Sequence, residues 1–197
     1  MITLAMAILA VFAFSQPAHS QDGTVLLNQL TGKADAPARN AAQLTEAYQQ
    51  VIDYLIPLMS ETSRSQYNNH LALQNLGSYA SRPGAETERL ALAKVMIKTL
   101  EEKEMPLIIK NWFVLQLERI GRAESVPALA KLLKAQDAYL RDYARTALEK
   151  NPDASATDAL LKELDTTSDT VFKIGLINSL GERKAESATG SITKSLN

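Results

Sequence analysis

Setting aside His19 near the start of the chain, His70 is the only histidine, and the chain contains no cysteine. An imidazole does metal or hydrolytic chemistry only in company, with further ligands or with a nucleophile in hydrogen-bond reach. On a helix the neighbours of His70 are Tyr67 and Gln74, which supply neither. His70 therefore reads as an ordinary helix histidine. The lack of cysteine excludes disulfides, thiolate metal sites, cysteine nucleophiles and haem attachment through Cys-x-x-Cys-His. Glu101, Glu102 and Glu104 form the densest carboxylate group. Adjacent residues of a helix point in different directions, and lysines surround these glutamates, so they read as a solvated face. No catalytic constellation, metal set or cofactor motif emerges, and the expectation is a protein that is not an enzyme and carries no cofactor.

The composition agrees with a binding role more than a chemical one. Among 197 residues, 21 are basic and 22 acidic, so no net field points to nucleic acid or to an anionic membrane. Apolar residues make up 46%, normal for a folded domain. Leu and Ala are abundant and aromatics few, which suits helices.

The strongest pattern is an internal repeat. Three ten-residue segments, 124–133, 155–164 and 187–196, superimpose with offsets of 31 and 32 residues. Leu129, Leu160 and Ile192 share one column; Lys131, Lys162 and Lys194 share a second; Leu133, Leu164 and Leu196 share a third. Met96, Lys98 and Leu100 extend these columns upstream. A fixed period in this range is the mark of stacked units that cannot bury their apolar faces alone. Between these segments lie matching helices. Asp137, Leu140, Arg141, Ala144 and Leu148 correspond to Asp169, Phe172, Lys173, Leu176 and Leu180. Asp137 is a helix N-cap, and Ser125 is expected to cap the helix that has Pro127 in its first turn.

The chain divides as follows. Residues 2–14 are apolar apart from Thr3, too short for a membrane span, and Ala18 and Ser20 place small residues before Gln21. Residues 1–20 read as a cleaved secretory signal, although no Lys or Arg precedes the apolar run. Export, to a periplasmic or extracellular location, and no stable membrane span after cleavage follow as expectations. Residues 21–40 read as a linker that docks in part, with Val25, Leu26, Leu27 and Leu30 forming a short turn of helix. From residue 41 to 197 the expectation is an all-α solenoid of antiparallel helix pairs: 41–56 with 64–79, 86–102 with 105–121, 125–135 with 137–150, and 156–165 with 168–181. Pro57 is expected to end or bend the first helix. Tyr67, Leu71, Leu73 and Leu76 are the expected apolar set of the second helix. Leu90, Ala93, Met96, Ile97 and Leu100 are that of the third. Residues 187–196 form a terminal half-repeat without an inner partner.

Pro127, Asp137, Leu140 and Arg141, followed by Ala144 and Leu148, resemble a HEAT repeat of the bilin-lyase-like subgroup. The fit covers about 104–196 and is weaker over 41–102, where Arg82-Pro83-Gly84 stretches the spacing. Asp158 and Lys173 replace the Pro127 and Arg141 columns in the next unit. The resemblance implies a right-handed superhelix with outer and inner helices. It does not carry lyase activity with it, because fold does not imply function. In that layout the lysines of the repeat column, Lys98, Lys131, Lys162 and Lys194, lie outside: Lys131 is about 200° from Leu129 on a helical wheel. If Leu140 faces the core, Asp142, Arg145, Thr146 and Glu149 line the inner face, with Ile174, Ile177 and Asn178 in the following unit and Ile108, Trp112 and Leu115 in the preceding one. Trp112, Leu115, Arg145, Glu149, Ile174, Ile177 and Asn178 are the candidate contacts for a protein or peptide partner. The alternative function is an accessory module of a secreted enzyme or redox protein whose catalytic domain lies elsewhere.

Overall fold

The computed structural model describes residues 19–60, 64–102 and 104–195. The proposed signal segment falls outside them, apart from His19 and Ser20. Among the described residues there are ten α-helices and no strands: α1 His19–Leu30, α2 Ala41–Ser60, α3 Arg64–Ala80, α4 Glu86–Glu102, α5 Leu107–Ile120, α6 Val126–Leu132, α7 Ala138–Lys150, α8 Ser155–Thr166, α9 Thr170–Glu182 and α10 Thr189–Ser195. Short 3₁₀ turns, Ala123–Ser125 and Glu186–Ala188, lead into α6 and α10.

From α2 onward the helices form two rows. One holds α2, α4, α6, α8 and α10; the other holds α3, α5, α7 and α9. Each helix packs on its sequence neighbour or on the next helix of its own row, as α2 does on α3 and α4, and α7 on α8 and α9. The link from α4 to α6 runs through the turn Ala123–Ser125. This is the neighbour pattern of an α-solenoid. The apolar residues that share repeat columns share burial: Leu140 with Phe172, Ala144 with Leu176, Leu148 with Leu180, and Leu129 with Leu160, all inside one continuous core. The lysines Lys98, Lys131, Lys162 and Lys194 are all exposed.

Several expectations need correction. The short turn expected within residues 21–30 is part of a longer helix. These residues are helical through Leu30, and α1 docks on α2 and α3 through Leu26, Leu27 and buried Leu30. Gly23 allows this approach, since a Cβ there would stand 2.4 Å from the Tyr54 ring. Pro57 does not end α2, which continues to Ser60. So near the terminus it removes one ladder donor only, while Met59 is fully buried beyond it and Asn69 Nδ2 donates to the Leu58 carbonyl at 3.1 Å. Tyr67 is not a core residue; it is 66% exposed. At 100° per residue it lies about 120° around α3 from Leu73, off the buried row of Leu73, Leu76 and Ala80. In α4 Leu92, Val95 and Thr99 are buried beside Ala93 and Met96, while Leu90, Ile97 and Leu100 are half-buried, because α4 is covered by α2, α3 and α5. Finally, Ser125 does not cap α6. Its buried hydroxyl donates to the Arg122 carbonyl at 2.8 Å and accepts from Asn151 Nδ2 at 3.1 Å. The expected helix 125–135 is thus split into a 3₁₀ turn, the short α6 and a final turn.

Candidate partner-binding face

The row α3, α5, α7, α9 carries all seven candidate contacts, and its helices are held in fixed register. Asp137 Oδ1 accepts from the Leu140 amide at 2.8 Å and Asp169 Oδ1 from the Phe172 amide at 3.0 Å, so each starts its helix as a side-chain N-cap. Asp169 also pairs with Arg141 of the preceding unit at 3.0 Å, and that guanidinium lies over the Phe172 ring. At the other end of the row, Lys150 meets Glu118 at 2.6 Å and Arg119 donates to the Ser78 hydroxyl. Like ends therefore lie side by side: α3, α5, α7 and α9 run parallel, with their N-termini along one edge.

The sequence candidates separate into three groups on this row. Trp112 is half-buried and stacks on His70 of α3, ring centroids 4.5 Å apart and planes 19° from parallel. Leu115 is half-buried beside it on α5. Arg145 and Glu149 on α7 are bound to their neighbours. The Arg145 guanidinium donates to Asp142 at 2.8 Å, to Glu149 at 3.1 Å and to the Ser179 hydroxyl, which itself donates to Glu149 at 2.7 Å. These groups tie α7 to α9. Gly175 leaves room for that crossing, since a Cβ there would be 3.1 Å from Arg145 Nε. On α9, Ile174 is 56% exposed, Asn178 is exposed, and Ile177 is half-buried against the core. This face is thus not one apolar groove. The α5 pair and the α9 pair stand apart, with the Arg145 network of α7 between them.

Another feature escaped the sequence reading. A large apolar side chain is exposed in the first turn of every helix of the row: Tyr67 on α3, Leu107 and Ile108 on α5, Tyr139 on α7 and Val171 on α9. Because the N-termini are aligned, these side chains make a row along one edge of the molecule, and Ile174 extends it by a turn. Tyr139 and Val171 are 75% and 79% exposed, which no packing need within the chain explains. The signal was present in the repeat: each stands two residues after its N-cap aspartate and just before the buried Leu140 or Phe172.

The electrostatics of the row are mild. Burial pushes the His70 imidazole below its ordinary pKa, so its stacked form against Trp112 is neutral. Among the described residues no group of three acidic, histidine or cysteine side chains is placed to hold a metal ion, and no helix is long and apolar enough to cross a membrane. No family model, curated protein or solved structure matches the chain.

Proposed function

We propose that this chain is an exported, non-enzymatic scaffold of the HEAT-repeat type that holds a protein partner along the inner row of helices. The observation that supports the reading best is the apolar edge of Tyr67, Ile108, Tyr139 and Val171. Isolated exposed apolar residues are ordinary on a protein surface, but exposed apolar residues that recur in the first turn of successive parallel helices point to a contact surface. Aromatic residues at such positions supply most of the energy of a protein interface. Packed helices stand about 8–10 Å apart, so the row offers anchors at a regular spacing to a partner that runs across the helices. The half-buried Trp112 and Leu115 and the exposed Ile174 and Asn178 would border that contact. Arg145 and Glu149 would set the geometry of α7 and α9 beneath it.

The test is site-specific photocrosslinking in a cell that exports the chain. A crosslinker at Tyr139 or Val171 is expected to give a discrete adduct with another protein, and one at Lys131 or Lys162 is not. Adducts from the lysine positions alone would contradict the reading.

A further inference from the structure

A recess of about 350 Å³ lies where the chain before α2 crosses the ends of α2, α3 and α4. Its shape depends on the turn after α1, where the Lys33 amide donates to the Asn28 carbonyl at 2.8 Å and Gly32 takes a left-handed conformation, φ 69°. A Cβ at Gly32 would stand 2.4 Å from the Tyr79 ring. Glycine is therefore required there twice, for its backbone angle and for the close approach.

Five charged or phenolic residues line the recess, and three of them, Tyr79, Arg82 and Glu88, are engaged with one another. Arg82 donates to Glu88 at 2.8 Å and to the Tyr79 carbonyl at 2.8 Å, and its guanidinium lies 3.9 Å from the centre of the Tyr79 ring. The other two, Arg39 and Tyr48, have no anionic acceptor. Arg39 is half-buried and donates to the neutral Gln29 Oε1 at 2.6 Å, and no carboxylate of the described residues lies within ion-pair distance of it. Tyr48 is wholly buried and its hydroxyl has no hydrogen-bond partner. Buried polar groups in folded proteins are almost always paired, and an orphan asks for an explanation. Burial, and next the nearby Glu88 carboxylate, hold the phenol in its protonated form. Tyr48 is thus a donor, as is Arg39, and apolar Leu30, Pro37 and Leu44 stand around them.

We propose that this recess binds a carboxylate, which accepts hydrogen bonds from the Arg39 guanidinium and the Tyr48 hydroxyl while its apolar part rests on Leu30, Pro37 and Leu44. An anionic acceptor satisfies both donors at once. A charge-assisted bond to Arg is the strong form of such a contact. The carboxylate belongs to a small organic acid or to the C-terminus of a peptide. This site lies at the C-terminal end of α3, away from the N-terminal turns that carry the apolar edge, and does not rest on the function proposed above.

Calorimetric titration of the full chain tests it, with benzoate, hexanoate, a tetrapeptide ending in Leu, the same peptide amidated, and inorganic phosphate as probes. Saturable binding of at least one carboxylate is expected, weakened tenfold or more in both Tyr48→Phe and Arg39→Gln. Tyr48→Phe is isosteric, and removal of an unpaired hydroxyl should raise the melting temperature of the free protein, so lost binding cannot be lost folding. Binding of the free but not the amidated peptide, without the small acids, assigns the carboxylate to a chain terminus; binding of the small acids without the peptide assigns it to an organic acid. Failure of every carboxylate to bind, phosphate binding as tight as theirs, or full affinity in either variant would overturn the proposal.

Discussion

Arg89 and Arg183 show how single side chains close this chain. Arg89 is almost wholly buried; its guanidinium donates to Glu86 at 2.7 Å, to Glu124 at 2.7 Å and to the Ile120 carbonyl. It joins the start of α4 to the end of α5 and to the turn before α6. Arg183 reaches back from the end of α9 to the carbonyls of Leu148 at 2.9 Å, Glu149 at 3.0 Å and Asn151, and so supplies donors to carbonyls at and just past the end of α7. Neither role can be read from periodicity, because a charged residue on a helix is first taken as solvent-facing. His70 is a gentler case. Its neutral ring stacks on Trp112, and its pKa is lowered by burial. A depressed histidine adds stability that is whole above the unfolded value of about 6.5 and is lost as pH falls through the folded value. Between pH 7.5 and 5 the melting temperature should therefore fall more for the native chain than for His70→Phe. Trp112 is the only tryptophan, so its emission should titrate with a midpoint below about 6.5. A midpoint above that, or equal pH dependence in the two proteins, would show that the stack does not favour the neutral ring.

At the scale of the element, the paired helices were legible wherever apolar spacing and capping agreed. The aspartates at 137 and 169 start α7 and α9 as expected, and the buried columns of Leu140 and Leu148 recur at Phe172 and Leu180. Leu148→Ala should cost about 2–5 kcal/mol in a denaturant melt, as buried leucine truncations do. Lys131→Ala should change stability by less than about 0.5–1 kcal/mol, the range for an exposed ion pair such as that of Lys131 with Glu101. Equal midpoints for the two variants would refute the assigned faces. Illegible parts have a common cause: tertiary contacts decided them. Residues 21–30 have too weak a pattern to declare a helix, and become one by docking on α2 and α3. Pro57 breaks a local rule that the burial of Met59 outweighs. Ser125 has the residue type of a cap, but its hydroxyl is claimed by Asn151. The candidate site was half legible. Trp112, Leu115, Ile174 and Asn178 lie on the surface of the row α3, α5, α7, α9, whereas the hydrogen bonds that Arg145 and Glu149 share with Ser179 depend on α9 approaching α7 at Gly175, which spacing along the chain does not reveal.

For the whole molecule, stacking converts a repeat of about thirty residues into a surface. Parallel helices bring their first turns to one edge, so a position that is trivial in a single unit recurs as an exposed apolar side chain on each of four helices. With 21 basic and 22 acidic residues, long-range attraction contributes little to any association, and the contact energy must come from buried apolar area. The most direct test uses purified chain and the partner captured by crosslinking from Tyr139 or Val171. Its dissociation constant is measured for the native chain, for Tyr139→Ser with Val171→Ser, and for Lys131→Ala with Lys162→Ala. Both edge positions are exposed, so the double variant should fold normally. The expected result is a loss of affinity of about 100-fold or more for the edge variant, from two residues worth roughly 1.5 kcal/mol each, with no more than a twofold change for the lysine variant. Unchanged affinity in the edge variant would contradict the assignment of this edge as the partner-binding surface.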